Sequence, residues 1–483
     1  MQKTNRYAFG LIGLLFASCS TVSDSSDQTA AKQLFVQRAS EDTGVTFSND
    51  LSSGPDMNII EYLYYYNGAG VAVADFNNDG LEDLFFAGNE ASDRMYLNLG
   101  ELKFQDITDS AGIIGDATWS TGVTVADVNA DGYMDIYVSA VGDYKTLSGV
   151  NRLYLNNGDL TFSEVGASVG LDFKGFGTQA SFFDYDNDGD LDVYLLNHTI
   201  HTPRNYGKIE RRAENDPLSG DRLYENTLNE TGVLGFVEVT EKAGIYSSAL
   251  GYGLALSTTD LNGDGWVDIY VGNDFHENDY IYLNNKDKTF SEVSKALVTS
   301  STRFTMGIDV ADLNNDLRAD LFTLDMMPNR ADVFMKSGGE DSDKVAQIKR
   351  EFGYHEQLAR NHLQLGTTNG FSEVALATGV YATDWSWSVL LEDFDNDSNT
   401  DVFISNGIYK RPNDLDFINF QSNVTFSDSS SEAELEQQLI EQMPMLKIEN
   451  ELFLNRGNLS FERLDPKSQF NPSYSNGAAV ADL

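Results

Sequence analysis

The stretch Asp75-Phe-Asn77-Asn-Asp79-Gly80-Leu-Glu-Asp83 decides the fold of this chain. Oxygen-bearing side chains fall at positions 1, 3, 5 and 9 of the stretch, with glycine at position 6. Alternating oxygens around a sharp turn are what a hard cation such as Ca²⁺ takes up. Glycine at position 6 permits the positive φ that wraps such a loop. The pattern returns at Asp127-Asn129-Asp131-Gly132-Asp135, at Asp184-Asp186-Asp188-Gly189-Asp192 and at Asp260-Asn262-Asp264-Gly265-Asp268. Two looser copies, Asp312-Asn314-Asp316-Asp320 and Asp393-Asp395-Asp397-Asp401, carry Leu317 and Ser398 where the others carry glycine. Left-handed geometry at such residues costs about 1 kcal/mol, so these two loops are expected to be weaker or differently shaped sites. An EF-hand needs a glutamate at position 12 and flanking helices. Here the last acid stands at position 9 and a strand-like run, Asp83-Leu-Phe-Phe-Ala87, follows at once.

Each copy sits in the same surroundings. A run of small apolar residues leads in, as in Gly70-Val-Ala-Val-Ala-Asp75. A Tyr-Leu-Asn element follows, at Tyr96, Tyr154 and Tyr282 and as Phe453-Leu-Asn455, and then a Phe-centred run at Phe104, Phe162, Phe236, Phe290, Phe371 and Phe461. Four short strands per unit, with first aspartates 52 to 81 residues apart, predict a β-propeller. The expected fold is all-β: a seven-bladed propeller with six complete blades, a truncated seventh beginning at Asn476-Gly-Ala-Ala-Val-Ala-Asp482, and Ca²⁺-binding hairpin loops. Gly44-Val-Thr-Phe47-Ser is the candidate N-terminal strand that clasps the last blade.

Net charge is −43, from 75 acidic against 32 basic residues. Such a surface repels nucleic acid, so no nucleic-acid partner is expected. Apolar content of 41% and 12% aromatics speak for a folded chain rather than a disordered acidic one. Lys3 and Arg6 precede a short apolar run that ends in Phe16-Ala-Ser-Cys19, and Cys19 is the sole cysteine. This reads as a lipoprotein signal peptide over 1–19 with Cys19 lipidated, a flexible tether over 20–33, and the propeller over 34–483. The expected location is the bacterial outer membrane or cell surface, held by the lipid anchor.

Long insertions fall between the second and third strands, over Asn197–Asp221, Asp325–Arg360 and Asn406–Glu449. Strand alternation places them on the face opposite the metal loops, and binding residues concentrate on such loops. They carry clustered cations, among them Arg204, Arg211 and Arg212, that could receive an acidic ligand. Their other reading is salt-bridging to an acidic body. His198 and His201 have helical spacing without a third ligand for zinc. Eight residues before each first aspartate stands a column of Asn67, Trp119, Phe176, Tyr252, Phe304, Trp385 and Tyr474. Its aromatics, Trp119 and Trp385 foremost, are either sugar-stacking platforms around a funnel or wedges between blades. Leu435–Met443 reads as a short amphipathic helix.

These motifs resemble bacterial FG-GAP/VCBS-repeat proteins, whose loops match those of integrin α-subunit propellers. Asn67-Gly-Ala-Gly-Val-Ala-Val-Ala-Asp75 and Leu324-Asp-Met-Met-Pro328 bring the chain nearest to the cartilage-acidic-protein-like, ASPIC/UnbV-type surface proteins. Members usually continue into more repeats and a further domain, so the resemblance implies a C-terminally truncated fragment. It also implies several bound Ca²⁺ ions with a structural role. The expected function is a calcium-stabilised, non-catalytic extracytoplasmic binding or adhesion lipoprotein that recognises a glycan or protein. The alternative is a polysaccharide lyase or hydrolase on the same scaffold, with Asp309 and Glu392 as its candidate carboxylates.

Overall fold

A computed structural model describes residues 33–200, 207–338, 341–423 and 432–481. Cys19, with the segments read as signal peptide and tether up to residue 32, lies outside the described residues, as do His201, Arg204 and Asp482. The fold is all-β and propeller-like. Six four-stranded antiparallel sheets follow one another in chain order, each with its strands side by side in sequence order. Their first strands are Val71–Ala74, Ser120–Ala126, Gly177–Phe183, Gly253–Thr259, Gly307–Ala311 and Ser386–Glu392. Each six-copy loop is the turn from first to second strand, and the three insertions occupy second-to-third connections. Among the described residues, no helix is long and apolar enough to cross a membrane.

The first strands of consecutive sheets contact one another and line a cavity of about 310 Å³. Glycine permits the closest approaches. A Cβ on Gly70 would lie 2.5 Å from the Val123 backbone nitrogen of the next sheet. Residues 476–478 also line this cavity, between the first strands of the sixth and first sheets. The Asn476 carbonyl accepts hydrogen bonds from Ser388 Oγ and Ser405 Oγ, both at 2.8 Å, and a Cβ on Gly477 would lie 3.0 Å from the Ala69 carbonyl oxygen. Among the described residues this segment forms no strand.

The expected clasp is displaced. Gly44 ends a four-residue helix, Ser40–Thr43, in the left-handed conformation, and Phe47 stacks on Phe86 at 5.0 Å. Phe35 packs on Phe394 at 5.6 Å, as the fourth-strand Phe162 packs on Phe76 at 5.8 Å. Phe35, not Phe47, therefore fills the fourth-strand position beside the sixth sheet. In the third insertion, the helix Glu432–Gln442 covers all but the last residue of the segment Leu435–Met443 expected as an amphipathic helix.

Two columns of side chains staple every sheet. At the loop end, the position-9 aspartate accepts two backbone N–H groups, one from its own loop and one from the end of the third strand. Asp83 takes Phe76 N at 3.2 Å and Asn98 N at 2.7 Å; Asp135, Asp192, Asp268, Asp320 and Asp401 do likewise. At the opposite end, Asp93, Asn151, Asp221, Asp279, Asn361 and Asn450 each accept the N–H that ends the second strand. Both columns satisfy backbone donors where the ladders run out.

Candidate metal centres and binding face

The six loops share one geometry. The position-1 carboxylate accepts the N–H groups of positions 5 and 6: Asp75 takes Asp79 N at 3.0 Å and Gly80 N at 2.7 Å. The position-5 aspartate accepts the N–H of position 7, as Asp79 does from Leu81 at 2.9 Å. Position 6 is left-handed in every copy, including Leu317 at φ 66° and Ser398 at φ 70°. Position 4 is left-handed as well, at Asn78, Ala130, Asn187, Gly263, Asn315 and Asn396. The sequence carried that second signal in the Asn and Gly preference at position 4, and the reading missed it. Leu317 is 95% exposed, so nothing packs to offset its strain.

In the third and sixth loops, the carboxylates of positions 1, 3 and 9 converge. One oxygen each from Asp184, Asp186 and Asp192, and one each from Asp393, Asp395 and Asp401, lie within 4.8 Å of one another. The donor set fits a hard cation. Asp395 Oδ1 is buried without a hydrogen-bond partner, and the Lys288 ammonium lies 2.5 Å from Asp186 Oδ2. These clusters can hold a metal ion. The other loops carry asparagine at position 3, where Asn77 and Asn129 instead donate to Asp79 and Asp131 at 2.9 Å. Burial pushes the position-9 carboxyls up, to about 6 at Asp83, Asp268, Asp320 and Asp401, about 7 at Asp135 and about 8 at Asp192.

On the opposite face, the segment Met57–Tyr66 plugs the mouth of the ring. Tyr62, Tyr64, Tyr65 and Tyr66 form one core with Trp119, Phe176, Tyr252, Phe304, Trp385 and Trp387. Tyr62 Oη meets His198 Nε2 at 2.9 Å, and Tyr64 Oη donates to Asp274 at 3.2 Å. The aromatic column is therefore a wedge around a plug and not an open funnel. Trp119 is 3% exposed and packs on Tyr65 with ring centroids 5.2 Å apart, so it offers no stacking platform. His198 is buried and its Nδ1 lies 3.2 Å from Thr178 Oγ1. Burial pushes its imidazolium down to about 3, and both ring nitrogens are engaged without a metal.

The cationic rim is also largely spent. Arg212 is buried against Glu277, and Arg411 against Asp384. Arg211, Arg330, Lys336, Lys349 and Arg350 pair with Glu214, Asp332, Asp416, Asp341 and Glu356. Arg212, one of the ligand-binding candidates, is thus buried in an ion pair. Asp309 accepts Val310 N and Leu391 N at 2.8 Å, which makes it a staple between two first strands rather than a poised acid. Glu392 lies exposed beside it.

Trp385 behaves differently from Trp119. It borders an apolar cleft of about 230 Å³ shared by the plug (Ile59, Leu63), the second insertion (Met326, Gly338) and the third (Ile408, Pro412, Asn413). Trp385 Nε1 and Asn413 Oδ1 are buried there without hydrogen-bond partners. Leu63, Phe334, Met335, Leu415, Ile418 and Phe420 stand exposed on the same elements. Sequence reading missed this cleft, because segments from three distant parts of the chain build it.

Comparison with known proteins matches these features. Residues 52–138, 140–195 and 260–323 match the FG-GAP-like repeat family. Cartilage acidic protein 1 of Xenopus tropicalis is 27% identical over 212 residues, which make up 43% of this chain and 29% of that protein. The Mus musculus protein of that name is 30% identical over 217 residues, again 43% and 29%. The chain thus covers less than a third of the length of these relatives. Among solved structures, the V. cholerae biofilm matrix protein Bap1 aligns at a TM-score of 0.31 and 14% identity over 63% of this chain and 39% of that one, a likeness too loose to carry an argument. The repeated loops and sheets thus fall largely within stretches that match the FG-GAP-like repeat family, and over 43% of its length the chain is similar to cartilage acidic protein 1.

Proposed function

We propose that the chain is a non-catalytic binding protein of the extracytoplasmic space, built on a calcium-stabilised propeller of seven blades. The apolar cleft between plug and insertions carries this reading. On a chain of net charge −43, it sets exposed Leu63 beside buried, unpartnered polar atoms of Trp385 and Asn413, and an adjoining pocket that shares Phe304, Met326 and Gly338 with it is lined by exposed Phe334 and Met335. Exposed apolar surface rimmed by polar residues marks a protein-interaction site more than it suits a hydroxyl-rich glycan. The partner is therefore a protein that seats an apolar side chain beside Trp385. Bound Ca²⁺ holds the loops on the other face and takes no part in chemistry. Cys19 anchors the protein to the outer membrane by lipid.

The test is capture of surface proteins by purified wild type and by Phe334→Asp and Met335→Asp, with a glycan array run in parallel. Both side chains are exposed, so the fold survives their replacement. A captured protein is expected to be lost from both variants, while Cys19→Ser releases the chain from the membrane fraction. A partner bound equally by the variants, or a glycan bound at the loop face, contradicts the reading.

A further inference from the structure

The third loop departs from the other five in two places. Its position 7 is Asp190, where the others carry Leu81, Tyr133, Trp266, Arg318 and Asn399. The turn after its third strand is also longer. It runs from Asn226 to Phe236 and holds a short helix, Leu228–Thr231, whereas the second and fourth sheets turn between Asn156 and Phe162 and between Asn284 and Phe290.

The two departures meet. Asn229 N donates to Asp190 Oδ2 at 2.9 Å, and Asn229 Nδ2 donates to the Asp188 carbonyl at 2.9 Å. This docks the turn on the loop and brings Glu230 over it. One carboxylate oxygen each from Asp188, Asp190 and Glu230 then lie within 4.8 Å of one another. Asp190 is 5% exposed, and its Oδ1 has no hydrogen-bond partner. Among the described residues no basic side chain pairs with these three acids, whereas Lys288 reaches Asp186, Lys286 reaches Asp264 and Arg456 reaches Asp395. A buried carboxylate beside two further carboxylates is costly unless a positive charge lies among them.

We propose that Asp188, Asp190 and Glu230 form a second hard-cation site in this loop, beside the Asp184–Asp186–Asp192 cluster. All its donors are oxygens, and Asp188 and Glu230 are open to solvent, so water can complete the six to eight ligands that Ca²⁺ takes. The ion ties the long third-to-fourth turn to the metal loop. Asp188 also stands at position 5 of the repeated loop pattern, so the two sites adjoin through that residue.

Equilibrium dialysis of the whole chain against Ca²⁺ tests the site. Glu230 is exposed, so Glu230→Gln keeps the fold, and Asp190→Asn is the second variant. Each is expected to bind one Ca²⁺ fewer than wild type, and Asp186→Ala to lose a different one, so that Asp186→Ala with Glu230→Gln loses two. Wild-type stoichiometry and affinity in both Glu230→Gln and Asp190→Asn overturn the proposal. Loss of an ion in Glu230→Gln with none lost in Asp186→Ala upholds this site and rejects the loop site beside it.

Discussion

Chelation with EDTA lowers the melting temperature by about 10 °C, and Ca²⁺ restores it better than Mg²⁺. The expectation starts from the carboxylate clusters of the third and sixth loops, which crowd like charges with few cations between them. An ion bound only by the folded state stabilises it by about 2.7 kcal/mol at a hundred times its dissociation constant. Two such loops supply about 5 kcal/mol, and each kcal/mol shifts a domain of this size by roughly 2 °C. Mg²⁺ serves less well because it demands tight octahedral geometry and sheds water reluctantly. Thermal melts with and without chelator check this, and superimposed curves contradict it.

Arg212→Ala costs about 3–5 kcal/mol of folding stability, because it strands a buried carboxylate. Glu277 is wholly buried, and its Oε1 accepts Arg212 Nε at 2.9 Å and Asn278 N at 2.6 Å. The guanidinium also lies 5.4 Å from the Tyr280 ring centre and 5.9 Å from those of Tyr246 and Tyr354. Burial pushes the Glu277 carboxyl up while the Arg212 charge holds it down, so removing the cation leaves only the upward push. Replacing both partners, as Arg212→Met with Glu277→Gln, costs far less, since no unpaired charge remains. Urea unfolding separates the cases. A loss in Arg212→Ala of under about 1 kcal/mol, the worth of an exposed pair, rejects a structural role and returns Arg212 to the surface.

The parts of the fold legible in the sequence were those written in local chemistry. Aspartates at alternate positions with a glycine at position 6 can hardly be anything but a tight acidic turn, and the Tyr-Leu-Asn and Phe runs around them alternate as strands. What stayed hidden depends on distant segments. Phe35 and Phe47 are equally aromatic and equally near the N-terminus; only packing against Phe394 shows which fills the fourth-strand position. The tyrosines of Glu61-Tyr-Leu-Tyr-Tyr-Tyr66 carry no period that marks a plug, and their core partners lie as far away as Trp385. Arg212 reads as a surface cation until Glu277 is found beneath it. The Asp190 side chain looks like one more turn residue until the helix at Leu228–Thr231 carries Glu230 to it.

The most direct test of the central claim, that these loops are cation sites, is an anomalous-scattering map from crystals grown with Ca²⁺ and soaked in a lanthanide. The account predicts peaks within carboxylate range of Asp184, Asp186 and Asp192 and of Asp393, Asp395 and Asp401, with Lys288 withdrawn from Asp186. A map without peaks at either cluster, with Lys288 still on Asp186 and Arg456 on Asp395, would contradict it.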